Sequence, residues 1–228
     1  MKHPIELLEH YWGFSEFKPQ QEAIIEAVLA NEDCIALLPT GGGKSVCFQI
    51  PALIKDGICI VVSPLIALMQ DQVNTLKAKG IKAMALTSGF SYDDIDRMLD
   101  NCIYGNYKFL YLSPERLQQD LVQERLKQMN VNLIAVDEAH CISQWGHDFR
   151  PAYREIKSLR ILHPTVNVIG LTASATSKVI DDICIQLDCI APQVLKTSFV
   201  RPNLAYLTLD CEDKYFKTVQ ILKKYAGT

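Results

Sequence analysis

Residues 33–45 read Asp33-Cys34-Ile35-Ala36-Leu37-Leu38-Pro39-Thr40-Gly41-Gly42-Gly43-Lys44-Ser45. The apolar run at 33–38 is short, as a buried strand is; three glycines end it, and a helical pattern follows Ser45. Glycines let backbone N–H groups curl around an anion with no Cβ in the way, and the helix N-terminus adds a favourable dipole. This is the pattern of a Walker A loop, with Leu38 where the common form has its first glycine. It assigns Thr40, Gly41, Gly42, Gly43, Lys44 and Ser45 to a bound nucleotide. Lys44 is expected to reach the β- and γ-phosphates, and the Ser45 hydroxyl to ligate Mg2+. A glycine-rich turn before a chance Lys-Ser is the bland alternative, and the strand-loop-helix setting argues against it.

Downstream, the apolar stretch 132–136 ends in Asp137-Glu138-Ala139-His140. Acidic residues at the carboxyl end of an apolar strand sit where ligands bind in open α/β sheets. Asp137 is the expected partner of Mg2+, directly or one layer out, and Glu138 is placed to orient or deprotonate an attacking water. Alone, the tetrapeptide is also what a surface loop carries. With the phosphate loop it makes a two-part nucleotidase signature, with Lys44, Asp137 and Glu138 as the catalytic set and ATP with Mg2+ as the ligands.

The rest of the chain repeats the same alternation. Strand candidates lie at 33–38, 58–62, 83–87, 108–112, 132–136 and 166–171, with helical spacing between them at, for example, 65–79 and 151–162. Near-continuous apolar strands separated by helices predict an α/β fold, a mostly parallel sheet with helices on both faces. Ser63-Pro64 and Ser113-Pro114 look like helix starts, serine as cap and proline in the first turn. After residue 203 the texture changes: a strand-like run at 204–209 precedes a helical segment at 213–225. The chain therefore reads as one domain over 1–205, with 206–228 the truncated start of a second.

Composition narrows the class without naming it. The 228 residues are 49% hydrophobic and 21% charged, ordinary for a globular protein with a core. No apolar run approaches the roughly 18 residues of a membrane span, and the first residues lack a secretory signal. The expected location is cytoplasmic, at the nucleoid, in a bacterium, or nuclear in a eukaryote. The net charge of −3 gives no global electrostatic case for nucleic-acid binding. None of the eight cysteines pairs at C-x-x-C spacing, so reduced, buried thiols are expected, with no zinc site in this chain.

With the two nucleotide motifs in hand, the chain resembles the first RecA-like lobe of a superfamily 2 helicase, and within that group the RecQ family. Four further stretches carry the likeness over roughly residues 10–210. Trp12-Gly13-Phe14-Ser15-Glu16-Phe17-Lys18-Pro19-Gln20-Gln21 is similar to the RecQ motif before the phosphate loop. The resemblance implies that Gln21 bonds the adenine edge while Phe14 and Lys18 hold the base. Lys18 stands where the family usually has Arg, and Gln20 where it usually has Gly. His140-Cys141-Ile142-Ser143-Gln144-Trp145-Gly146-His147-Asp148-Phe149-Arg150-Pro151 is similar to the aromatic-rich loop that marks RecQ helicases. Aromatic rings stack on bases and cations bond backbone phosphates, which suits single-stranded DNA. By resemblance, Trp145, Phe149 and Arg150 sense DNA, and His140, Gln144 and His147 relay that to the ATP site.

Leu171-Thr172-Ala173-Ser174-Ala175-Thr176 is similar to the helicase motif that couples hydrolysis to domain motion, implying roles for Thr172, Ser174 and Thr176. A strand end with a helix cap is an equally good local reading. Ser63-Pro64-Leu65-Ile66-Ala67-Leu68-Met69-Gln70-Asp71-Gln72 resembles the motif that grips the DNA strand, and Phe199-Val200-Arg201-Pro202-Asn203 the exit from the first lobe. The resemblance implies an ATP-dependent DNA helicase acting with 3′–5′ polarity on single-stranded DNA or duplex junctions. It also implies a second RecA-like lobe, a zinc module and a winged helix downstream. Little turnover is then expected of this chain alone, because the arginine that reaches the γ-phosphate belongs to the second lobe. Two other classes stay in view, a nucleotide-gated binding module without productive hydrolysis and an unrelated P-loop enzyme such as a small kinase. The aromatic-rich loop speaks against the kinase.

Overall fold

The computed structural model describes residues 3–197, 204–205 and 207–225, and the chain divides into two units, 1–197 and 198–228. The first unit is built on seven parallel strands: β1 (Cys34–Leu37), β2 (Ile58–Val62), β3 (Ala83–Leu86), β4 (Phe109–Leu112), β5 (Val131–Val136), β6 (Val168–Thr172) and β7 (Gln193–Lys196). Their order across the sheet is β3-β4-β2-β5-β6-β1-β7.

Strand side chains alternate between faces, and each face is covered by helices because both sets are apolar. Cys34, Ala36, Cys59, Val61 and Leu133 point to one side. There they meet Ile24 and Val28 of α2 (Gln21–Leu29), Phe48 of α3 (Lys44–Ile54) and Met69, Val73 and Leu76 of α4 (Ile66–Ala78). Ile35, Leu37, Ile60, Val62 and Ile134 point to the other. They meet Ile95 and Leu99 of α5 (Tyr92–Tyr104), Val122 and Leu126 of α6 (Asp120–Lys127), and Val179 and Ile183 of α8 (Ser177–Gln186). Burying each such side chain contributes about 1.5–3 kcal/mol, so the two layers fix the positions of the strand ends. The N-terminal helix α1 (Pro4–Trp12) packs Leu7 and Leu8 against Ile25 and Ile50 in a smaller third cluster.

Several expectations need correction. The segment 151–162 is not one α-helix. Residues Pro151–Ile156 form a 3-10 turn before α7 (Lys157–Leu162), and three residues per turn bring Tyr153 and Ile156 onto one buried face. Ser63 caps no helix: α4 begins at Ile66 after Leu65, and the Ser63 hydroxyl is buried and turned toward Asp137. Pro114 does start a helical turn, a 3-10 segment over Pro114–Gln118, but Ser113 makes no side-chain capping bond. Strand β7 carries no apolar run that announces it; it is an edge strand, paired to β1 alone and largely exposed.

In the second unit, α9 (Lys214–Lys224) is capped by Asp213, whose carboxylate accepts from the Phe216 N–H at 2.9 Å. The expected strand at 204–209 is not formed at its described residues, which find no pairing partner there. The stretch Phe199-Val200-Arg201-Pro202-Asn203 lies outside the described residues.

Candidate nucleotide site and the loop beside it

Three of the predicted motifs follow β1, β5 and β6, which are neighbours in the sheet. Leu37 stands opposite Thr172 and Val136 opposite Gly170, so the carboxyl ends of these strands come level. The backbone is stitched there: Leu38 N–H donates to the Thr172 carbonyl at 3.1 Å and Asp137 N–H to the Val62 carbonyl at 2.8 Å. This rim is where α/β sheets bind ligands.

After β1 the chain turns through Gly41 and Gly43, both at left-handed φ (79° and 75°), and α3 starts at Lys44. Gly42 N–H closes the turn on the Pro39 carbonyl at 2.9 Å. A Cβ on Gly42 would lie 2.8 Å from the Pro39 oxygen, and one on Gly43 only 2.3 Å from the Gln21 amide nitrogen. Glycine is favoured at Gly42 by this close approach to backbone, and at Gly43 by its left-handed φ together with the Gln21 contact. Thr40 and Gly41 are exposed at its lip, while Gly42, Gly43, Lys44 and Ser45 are half-buried.

The motif preceding the loop is wired directly to it. Gln21, buried, accepts from Lys18 N–H at 2.9 Å and donates from its amide to the Gly42 and Gly43 carbonyls at 3.3 and 3.1 Å. The Lys18 ammonium donates to the Gly41 carbonyl at 2.8 Å. Phe14, Lys18, Gln21 and Gly43 line one cavity of about 460 Å³. Gln20 takes a left-handed φ of 69° at the cap of α2, the backbone shape a glycine adopts freely. A larger cavity, about 710 Å³, lies at the other end of the sheet beside Lys55, Asn132 and Asn167, away from all these motifs.

Across from the loop, Asp137 is buried and its carboxyl is pushed up to about 6, chiefly by burial and next by the Glu138 charge. Glu138 N–H, the Lys44 charge and the Ser63 hydroxyl, 3.5 Å away, pull it back down. Lys44 and Asp137 therefore feel each other across the rim. Glu138 sits at φ 46°, ψ 46°, a left-handed turn that costs a non-glycine residue about 1–2 kcal/mol. Such strain persists only where the surroundings enforce it. Here Tyr153, fully buried, donates its hydroxyl to the Asp137 carbonyl at 3.0 Å. Tyr153 was invisible to motif reasoning; its only signal was an aromatic residue in an otherwise amphipathic stretch.

The acidic motif meets the β6 motif through one imidazole. His140 Nδ1 lies 2.9 Å from the Thr172 hydroxyl and 3.3 Å from a Glu138 carboxylate oxygen. Burial pushes this imidazole below its usual range, which favours the neutral ring. The Thr172 hydroxyl also accepts from Ser174 N–H and donates to the Ser174 carbonyl, both at 3.2 Å. Thr176 accepts from Val179 N–H and caps α8, so the helix-cap reading holds for that residue.

The loop that follows is laid over the rim rather than packed into the core. Trp145 is 62% exposed and the Lys178 ammonium sits 3.1 Å from its ring centroid. Phe149 is half-buried under the Arg154 guanidinium, and Gln144 is exposed. His147 stacks on His140 at 4.4 Å, and Arg150 donates to the Pro64 carbonyl at 3.2 Å and to Asp148 at 3.3 Å. No helix of the described residues is long and apolar enough to cross a membrane.

Comparison with known proteins agrees with this layout. The DEAD/DEAH box helicase family matches residues 18–183. An ATP-dependent DNA helicase RecQ of Bacillus subtilis is 46% identical over 210 residues, covering 91% of this chain and 36% of that protein. A probable ATP-dependent DNA helicase RecS of the same organism is 43% identical over 226 residues, covering 96% of this chain and 45% of its own length. The chain thus spans less than half the length of these curated relatives. Among solved structures, the Hef helicase domain of Pyrococcus furiosus superposes with a TM-score of 0.60 at 23% identity, over 83% of this chain and 40% of that one, which speaks for the fold alone.

Proposed function

Because the chain belongs to the DEAD/DEAH box helicase family, we propose that it is the nucleotide-binding motor lobe of a RecQ-like, ATP-dependent DNA helicase with 3′–5′ polarity. The observation that supports this reading best is the meeting of Gly41–Ser45, Asp137–Glu138 and Thr172–Ser174 on three neighbouring strand ends, the last two joined by His140. In this reading residues 206–228 begin the second lobe of a two-lobed motor, and the arginine facing the γ-phosphate comes from that lobe.

The donor set fits Mg–ATP. The glycine loop leads directly into α3, whose first backbone N–H groups favour an anion at this end of the helix. Ser45 and Asp137 offer hard oxygen ligands of the kind Mg2+ prefers. Bound there, Mg2+ supplies charge neutralisation on the β- and γ-phosphates. Lys44 adds a fixed cation on the same side. Glu138 orients the attacking water and takes its proton, and the left-handed turn holds that carboxylate beside His140. Phe14 and Lys18 hold the base in the adjoining cavity. Gln21, by exchanging a loop carbonyl for the adenine edge, links base recognition to the shape of the phosphate loop.

DNA enters this reading through Trp145, Phe149 and Arg150, with Gln144 and His147 between them and the rim. Stacking on an exposed ring is worth about 1–3 kcal/mol per base, so truncating Trp145 should be felt. Because little turnover is expected of this chain alone, the test measures ATP hydrolysis by the full-length protein with and without single-stranded DNA. DNA is expected to raise the rate, and Trp145→Ala to abolish that rise while leaving Mg–ATP affinity within twofold. Equal DNA stimulation in the Trp145→Ala chain would sink the assignment of the loop.

A further inference from the structure

We propose that His140, Cys141 and Asp148 form a three-ligand zinc site at the base of the aromatic-rich loop. Cysteine spacing gave no hint of it, because the ligands are two adjacent residues and a carboxylate returned by the loop. Cys141 Sγ lies 3.8 Å from His140 Nε2 and 3.7 Å from Asp148 Oδ2, and all three ligand atoms fall within 4.8 Å of one another. Tetrahedral zinc, with bonds of about 2.3 Å to sulfur and about 2.0 Å to nitrogen, requires ligand atoms about 3.6 Å apart. The two spacings to the Cys141 sulfur are close to that value, and the remaining pair lies within 4.8 Å.

A second observation points the same way. A metal-binding imidazole is normally oriented by a hydrogen bond at its other nitrogen. His140 Nδ1 has that support from Thr172 at 2.9 Å and from Glu138 at 3.3 Å, which leaves Nε2 turned to the thiol. Thiolate, imidazole and carboxylate together suit zinc better than the hard cations Mg2+ and Ca2+. Binding releases the Cys141 proton to solvent, and the thiolate and carboxylate then balance the two charges of the ion. His140 and Cys141 are buried, and the Asp148 side chain, 51% exposed, opens the cluster to solvent on its side. Asp148 is shared at present with Arg150, 3.3 Å away, which the ion would have to outbid for one oxygen. With the metal in place, residues 142–147 become a loop closed at both ends.

The test is a titration of the reduced chain with Co2+, followed by Zn2+. One equivalent of Co2+ should produce a thiolate-to-cobalt charge-transfer absorption, and one equivalent of Zn2+ should abolish it. Cys141→Ser should remove the band, and Asp148→Asn should weaken binding about tenfold or more. Cys184→Ser should change nothing. An unchanged band in Cys141→Ser, unchanged affinity in Asp148→Asn, or a band lost in Cys184→Ser overturns the assignment. Should circular dichroism show Cys141→Ser unfolded, the Asp148→Asn chain, altered at an exposed position, decides alone.

Discussion

The two ends of the sheet use their polar groups in opposite ways. At the amino end a buried network of polar groups is spent on the fold itself. Asp33 takes two bonds from Arg160, at 3.1 and 2.6 Å, and one each from Val168 and Ile190 N–H, at 2.8 and 2.7 Å. Asn167 donates to the Val28 and Glu32 carbonyls, and the Lys55 ammonium bonds both Asn31 and Asn167. At the carboxyl end the glycine cradle, Ser45, the Asp137–Glu138 pair and Trp145 keep capacity for something else, and the backbone accepts left-handed turns at Gly41, Gly43 and Glu138 to hold them there. Both ends are rich in polar residues. The difference between scaffold and site lies in whether those residues already satisfy one another.

Substitutions at the two ends should therefore fail in different ways. The largest effect is expected for Lys44→Ala: ATP hydrolysis falls by about 10²–10³, as when one electrostatic donor to a developing charge is removed, while urea unfolding barely moves. Unfolding at markedly lower urea would instead make Lys44 structural. Asp33→Ala should do the reverse. Breaking a buried ion pair costs about 3–5 kcal/mol, so the unfolding midpoint drops sharply, while Mg–ATP affinity of the folded fraction is kept. An unfolding midpoint unchanged in this chain would end the scaffold reading.

Thr172→Val removes the hydroxyl that joins His140 to the Ser174 backbone but keeps the shape. Losing such a bond costs about 1–3 kcal/mol. Expressed as rate, DNA-stimulated hydrolysis should fall about tenfold with Mg–ATP affinity unchanged; a parallel loss of affinity would place Thr172 in binding instead. Gln20→Gly is the gentlest case. Relief of the left-handed turn is worth about 1 kcal/mol and is offset by the extra freedom of glycine in the unfolded chain, so the net change should stay within about 1 kcal/mol. A larger loss in thermal unfolding would mean that the Gln20 side chain itself matters.

How legible this was in the sequence depended on the kind of signal. Periodicity and glycine spacing report local physics, and they located β1 to β6, the phosphate loop and the acidic motif within a residue or two. Edge strand β7 was missed because an exposed strand needs no apolar run. The 3-10 turn at Pro151–Ile156 was read as α-helix because the two patterns differ by a fraction of a residue per turn. Ser63 and Tyr153 were misread or missed since their partner, Asp137, is distant in sequence and close only after the sheet forms. The Gln20 departure, by contrast, was visible as an oddity and became intelligible once its φ was known. The roles expected of Lys44, Ser45, Asp137 and Glu138 came from local chemistry, whereas those of Gln21 and Trp145 came only through the family resemblance, because neither has local chemistry that names its ligand.

Hydrogen–deuterium exchange with and without Mg–ATP tests the contrast between the two ends most directly. Added nucleotide should slow exchange together at residues 39–47 and 137–142, with residues 31–33, 55–57 and 165–167 unchanged. Protection confined to the amino-end segments, or none at either rim, would contradict the account.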